Sequence, residues 1–182
     1  MTERLHRTRL APLPDEQWND DVVRALSVMM PAERARPDLV GNMLATFARH
    51  PKLTRAYLTF NMHLLMTTTL SKRIVEIIVL RTAVMRRSDY LWDHHVQLAR
   101  RAGLTDDDLD AVKRGQMSDP LDAATVAAVD ELHTDGKVCD ATWDALASAL
   151  TEQQLMDLVF TAGGYGALAM AIETFGIQDE HA

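Results

Sequence analysis

EIIVLRTAVMRRSDYLWDHHVQLARRAG, residues 76–103, sets the reading of the whole chain. Its first half is apolar almost all round, with Glu76 set among Val75, Ile77, Ile78 and Val79. A helix without a polar face has to be buried on most sides. In its second half Leu91, His95, Leu98 and Ala99 share one helical face, behind the N-cap candidate Ser88 and ahead of Gly103 as a C′ glycine. Two adjoining helices follow. They gather a carboxylate, two histidines and two aromatic rings into one short span, so any chemistry is expected here.

Working outward, nearly every periodic segment reads as helix. Pro14 and Asp15 open the first, with Trp18, Val22, Val23 and Leu26 on one face, and Pro31 and Pro37 then force a loop. Further helices are expected over residues 38–49, 52–66 and 71–85, the last capped by Ser71. Thr105 caps a short acidic-headed helix through Val112, and a loop at Ser118–Pro120 precedes a helix over 123–134. Asp140 is expected to cap the next, and Thr151 with Gln154 forms a capping box for the last. That last helix meets Gly163, Gly164 and Gly166, where it bends or packs closely against a neighbour. No alternating strand pattern of useful length is present. The expected fold is all-α, roughly eight helices in a single domain.

Composition narrows the function classes. The net charge of −7 argues against a nucleic-acid or anionic-membrane surface. The single cysteine, Cys139, excludes an internal disulfide framework and a CxxC redox pair. The N-terminus lacks a signal peptide's apolar core, and the apolar run 74–85 is far short of the ~20 residues a spanning helix needs. A cytoplasmic protein without membrane or nucleic-acid partners is expected. Ten methionines fit core filling or an oligomer surface.

Glu76 in an apolar setting suits proton transfer; the alternative is a structural ion pair with Arg73 or Arg81. His94 and His95 point about 100° apart on one helix, with His95 on the apolar side and His94 nearer Tyr90 and Gln97. Adjacent histidines chelate poorly, and no HxxxH or HExxH pattern is present, so no metal is expected. Ser88 reads as an N-cap rather than a nucleophile, and Cys139 as an inert thiol.

Residues 73–81, RIVEIIVLR, and 90–112, YLWDHHVQLARRAGLTDDDLDAV, resemble the carboxymuconolactone decarboxylase family, which includes the AhpD-like alkylhydroperoxidases. The opening RLAPLPDEQW is also similar to the start of longer members. The resemblance implies an AhpD-like domain: residues 1–40 as an N-terminal extension with the first helix, 41–115 as the family core, and 116–182 as C-terminal helices. It also implies self-association as dimer, trimer or hexamer.

The family's peroxidase branch carries E-x11-C-x-x-C-x3-H. Here Glu76 and His95 match, but Ser88 and Leu91 stand where the thiols belong. Leucine supplies neither thiolate nor resolving sulfur, so that cycle is disfavoured. The decarboxylase branch carries a YxW-x-x-H-like segment, echoed by Tyr90, Trp92 and His95. The resemblance implies a cofactor-independent lyase acting on a small lactone or cyclic carboxylic acid. Glu76 and His95 form its proton relay, Arg81 holds an anion, and Tyr90, Trp92 and His94 contact substrate. The alternatives are a peroxidase-branch oxidoreductase and a non-catalytic helical oligomer or ligand-binding protein.

Overall fold

The computed structural model describes residues 7–179, so the ends of the N-terminal extension (1–40) and of the C-terminal helices (116–182) lie outside the described residues. Within that span the chain is all-α, with nine α-helices and no strand. The helices are α1 (Asp20–Leu26), α2 (Gly41–Phe47), α3 (Pro51–Met62), α4 (Lys72–Arg86), α5 (Asp89–Arg101), α6 (Asp106–Arg114), α7 (Pro120–Thr134), α8 (Asp140–Ala147) and α9 (Glu152–Phe175). The described residues fall into two compact units, 7–67 with 171–179, and 68–170.

The first unit closes α1, α2 and α3 over a core of Leu13, Val22, Leu26, Val40, Leu44 and Leu58. The indole of Trp18 donates to the Ala35 carbonyl at 2.8 Å. The first helix starts later than its sequence suggests. Residues Asp15–Gln17 form a 3-10 turn, and Asn19 caps α1 by accepting from the amides of Asp21 and Val22. At the other end, α3 runs into a π-helical turn, His63–Thr67.

The second unit is built around α4. Ile77, Ile78, Val79 and Leu80 are fully buried, each Ile or Leu contributing roughly 1.5–3 kcal/mol. Ser71 caps its start, and Arg87 ends it in the left-handed region at φ 55°. Ser88 then caps α5, so the two helices reverse through two residues, Arg87 and Ser88, and lie side by side. The expected Gly103 terminus and the Thr105 cap of α6 are both present, the latter as a capping box with Asp108. Asp108 is held below the ordinary carboxylate range, first by the Thr105 amide and then by Arg73.

Two ion pairs tie α4 to α7. Arg73 donates to Asp122 at 2.7 and 3.0 Å, and Arg81 grips Asp130 at 2.5 and 2.7 Å. Both pairs are 49 residues apart in sequence, so α4 and α7 run parallel in constant register. Arg81 also donates to the carbonyls of Val112 and Lys113, closing the negative end of α6. Gly115, at φ +73°, leaves the room for this: a Cβ there would sit 2.8 Å from the Arg81 guanidinium.

Three helix starts or courses differ from the sequence reading. Asp119 caps α7 and Pro120 is its first residue, so the expected loop is the helix entrance. Cys139, not Asp140, occupies the N-cap position of α8 and contributes no side-chain cap. The Thr151–Gln154 capping box is present, but α9 continues unbroken through its three glycines. That helix is long and apolar enough to cross a membrane by length and composition alone, and 61% of its most apolar window is buried inside the protein.

Removing one partner of a buried pair strands the other. Asp130→Ala leaves the buried Arg81 without its carboxylate, and because Asp130 is itself 32% exposed the expected loss of unfolding stability in urea titrations is about 1–3 kcal/mol. Asp106→Ala, whose Arg100 pair is exposed (44% and 82%), is expected to change it by no more than about 1 kcal/mol.

Candidate active site

The two-residue reversal at Arg87 and Ser88 lays α5 along α4 and brings His95 opposite Glu76. Nδ1 of His95 lies 2.9 Å from Oε2 of Glu76, and the two side chains are only 11% and 12% exposed. A carboxylate accepts and cannot donate, so His95 carries the proton on Nδ1 in this contact. Its Nε2 is then the ring nitrogen available for proton exchange. Tyr165 on α9, buried at 3% exposure, meets the imidazole edge-on with centroids 5.3 Å apart and planes at 90°.

The two ion-pair alternatives for Glu76 are answered by the same geometry. Arg73 turns to Asp122, Asp108 and the Gly103 carbonyl, while Arg81 turns to Asp130 and the end of α6. Glu76 is left with His95. Leaving a carboxylate this shielded without a partner would cost several kcal/mol, so the imidazole also has a structural part.

The other expected site residues lie elsewhere. Four of the five N–H donors of Arg81 are used within the protein, which conflicts with its reading as an anion holder. His94 is exposed; its Nδ1 meets the Tyr90 carbonyl at 2.8 Å and its ring stacks on the Tyr90 ring at 4.1 Å. Trp92 packs toward α6, with the Lys113 ammonium 4.5 Å above its ring. Together with Val96, Leu109 and Lys113 it lines a groove of about 310 Å³ between α5 and α6. The structure therefore brings together Glu76 and His95, but not Arg81 or Trp92 with them. Leu98, read as part of the apolar face, is 41% exposed; the buried stripe is Leu91, His95 and Ala99.

At the two thiol positions, the Ser88 hydroxyl accepts from the Leu91 amide and both side chains are buried. The one cysteine is on a different element: the exposed Cys139 thiol donates to Glu131 at 3.3 Å. Among the described residues, no group of three or more His, Cys, Asp or Glu side chains converges as a metal site requires.

A family model described as "Carboxymuconolactone decarboxylase family" matches residues 51–133, the span that carries both Glu76 and His95. That segment is similar to the carboxymuconolactone decarboxylase family. No curated protein sequence matches it. Solved structures share its fold at low identity. An uncharacterised peroxidase-related protein from Ralstonia eutropha, with an alkylhydroperoxidase AhpD core, is 20% identical at TM-score 0.74, covering 94% of this chain and 93% of that one. The debrominase Bmp8 in complex with 2,3,4-tribromopyrrole is 16% identical at TM-score 0.72, covering 96% and 92%. A protein of unknown function from Agrobacterium tumefaciens is 16% identical at TM-score 0.66, covering 72% and 92%.

Sequence reasoning missed a second, half-buried imidazole. His133, on α7, accepts from Arg86 of α4 through Nδ1 at 2.7 Å, because a guanidinium can only donate. Its Nε2 proton then points to the Thr82 hydroxyl at 3.2 Å. Gly166 of α9 fits against the ring, where a Cβ would come within 2.7 Å of Cε1. One of the glycines noticed in the sequence thus marks close packing, but nothing in its neighbours named the histidine.

Protonating His133 would set an N–H against the Arg86 N–H. Burial lowers its pKa from the ordinary 6.5, and the Arg86 charge lowers it further. With the folded value below the unfolded one, the unfolded chain binds more protons in the window just under pH 6.5. Stability is therefore expected to rise with pH through that window and to be lost as pH falls through the folded value. Denaturant melts of wild type and His133→Gln from pH 5 to 8 check this; the variant should show a flatter profile.

Proposed function

We propose that this protein is a cofactor-independent lyase acting on a small lactone or cyclic carboxylic acid, with Glu76 and His95 as its proton relay. The observation that carries the reading is the 2.9 Å contact between the two groups in a largely water-excluded place, with no thiol at Ser88 or Leu91. In decarboxylation the bond to the departing carbon dioxide breaks and its electron pair moves into the conjugated lactone. The carbon then takes a proton. The Nε2–H of protonated His95 is the donor, and Glu76 fixes the ring orientation and balances the imidazolium charge. Tyr165 packs edge-on against the ring.

In this reading Arg81 supports the scaffold and does not hold the substrate carboxylate, because its donors are committed to Asp130 and α6. Peroxide reduction by paired thiols is disfavoured, since that chemistry needs two sulfurs and the chain has one cysteine, on the α7–α8 connection. Self-association belongs to the same proposal: Met156 and Met170 of α9 are 61% and 50% exposed, leaving apolar surface for a second copy.

Carbon dioxide release from γ-lactone carboxylic acids is the direct assay. Glu76→Gln and His95→Ala are each expected to lower kcat by about 10²–10⁴-fold, with thermal unfolding showing that both fold. Cys139→Ser is expected to keep the wild-type rate. Wild-type turnover in both relay variants, or activity abolished by Cys139→Ser, overturns the proposal.

A further inference from the structure

The first unit carries a second concentration of charge, remote in chemistry from the acid–base pair. A groove of about 500 Å³ at the start of α3 is lined by Arg24, Arg49, His50, Lys52 and Arg55, with Asp21 as its one carboxylate. Four cations against one acid stand in a chain whose net charge is −7. The volume lies within the range of small-molecule sites.

The partners of these cations matter more than their number. Arg24 is paired with Asp21. Arg49 instead donates to the backbone carbonyls of Ala11 and Pro12, at 2.6 and 3.2 Å, and Arg55 to the carbonyl of Arg24 at 3.3 Å. Both guanidinium groups are thus held by neutral oxygens, which do not neutralise their charge, and both residues line the groove. His50 accepts from the Leu53 amide through Nδ1, so its neutral ring carries its proton on Nε2 and presents a donor. Like charges set this close in a concave wall repel one another and focus a positive potential into the space between them. Arginine forks match tetrahedral and planar oxyanions by paired N–H donation, which a halide cannot receive in the same way. Ala25 and Pro51 add an apolar edge to the same groove.

We infer that this groove is a binding site for small oxyanions, with phosphate and phosphate monoesters or diphosphates as the class that fits best. The inference stands apart from the proposed lyase reaction and uses none of its residues.

The test is a titration of the full-length, ¹⁵N-labelled protein with pyrophosphate and then inorganic phosphate, at ionic strength held constant with sodium chloride. Saturable shifts are expected at the amides of Lys52, Leu53 and Arg55, with pyrophosphate binding more tightly than phosphate. The Lys52→Gln/Arg55→Gln double variant should weaken pyrophosphate binding at least tenfold, and Arg24→Gln severalfold, with unchanged amide spectra elsewhere reporting an intact fold. Glu76→Gln should bind as wild type does, so failure of the lyase reading leaves this result untouched. Non-saturating shifts, equal shifts with chloride alone, or undiminished binding by the double variant would overturn the inference.

Discussion

A helix that water reaches on almost no side must have each of its charges met by a neighbour, and α4 is such a helix. Between the exposed Lys72 at its start and Arg86, held against His133, at its end, it carries Arg73, Glu76 and Arg81 among mostly apolar residues. These three are met by neighbouring helices: Glu76 by His95 of α5, Arg73 by Asp108 of α6 and Asp122 of α7, and Arg81 by Asp130 of α7. Hydrophobic burial supplies the driving force but would tolerate several slides of one helix along another. The charges do not, because a slide by one turn strands an ion in the core. The packing of the second unit therefore depends on these three pairings.

The same constraint shapes the chemistry. Arg73 and Arg81 each spend four donors on holding α4, α6 and α7 in register, which leaves Glu76 facing a group that can both satisfy it and move a proton. A Glu–His contact is a structural solution and a reactive arrangement at once. Its reactivity is of the acid–base kind, since the positions that would bring sulfur beside it hold a capping serine and a core leucine. The oxyanion groove of the first unit follows the opposite logic: two of its arginines, Arg49 and Arg55, are oriented by carbonyls rather than by carboxylates.

Much of this was legible in the sequence because it is local. Ser88, Gly103, Thr105 and the Thr151–Gln154 box act on backbone groups within a few residues, so their patterns carry their structural meaning. Glu76 and His95 could be singled out for their surroundings, and the family resemblance joined them. What escaped notice is non-local. The partners of Arg73 and Arg81 lie 49 residues on, and only the matching spacing of Asp122 and Asp130 hints at them. Tyr165 and His133 were invisible as site and core residues because a side chain's neighbours across α9 and α7 leave no trace beside it in sequence. The α9 glycines were ambiguous for a similar reason: tertiary packing decides whether such a helix bends or admits a ring.

The account turns on the hydrogen bond between His95 Nδ1 and Glu76. Histidine-selective ¹⁵N NMR reads it directly, since a proton held between imidazole and carboxylate is deshielded and exchanges slowly with water. The account predicts a protected Nδ1–H resonance for His95 that is lost in Glu76→Leu while the rest of the spectrum is retained. A His95 found as the Nε2–H tautomer, or with an Nδ1 proton indifferent to Glu76→Leu, would contradict it.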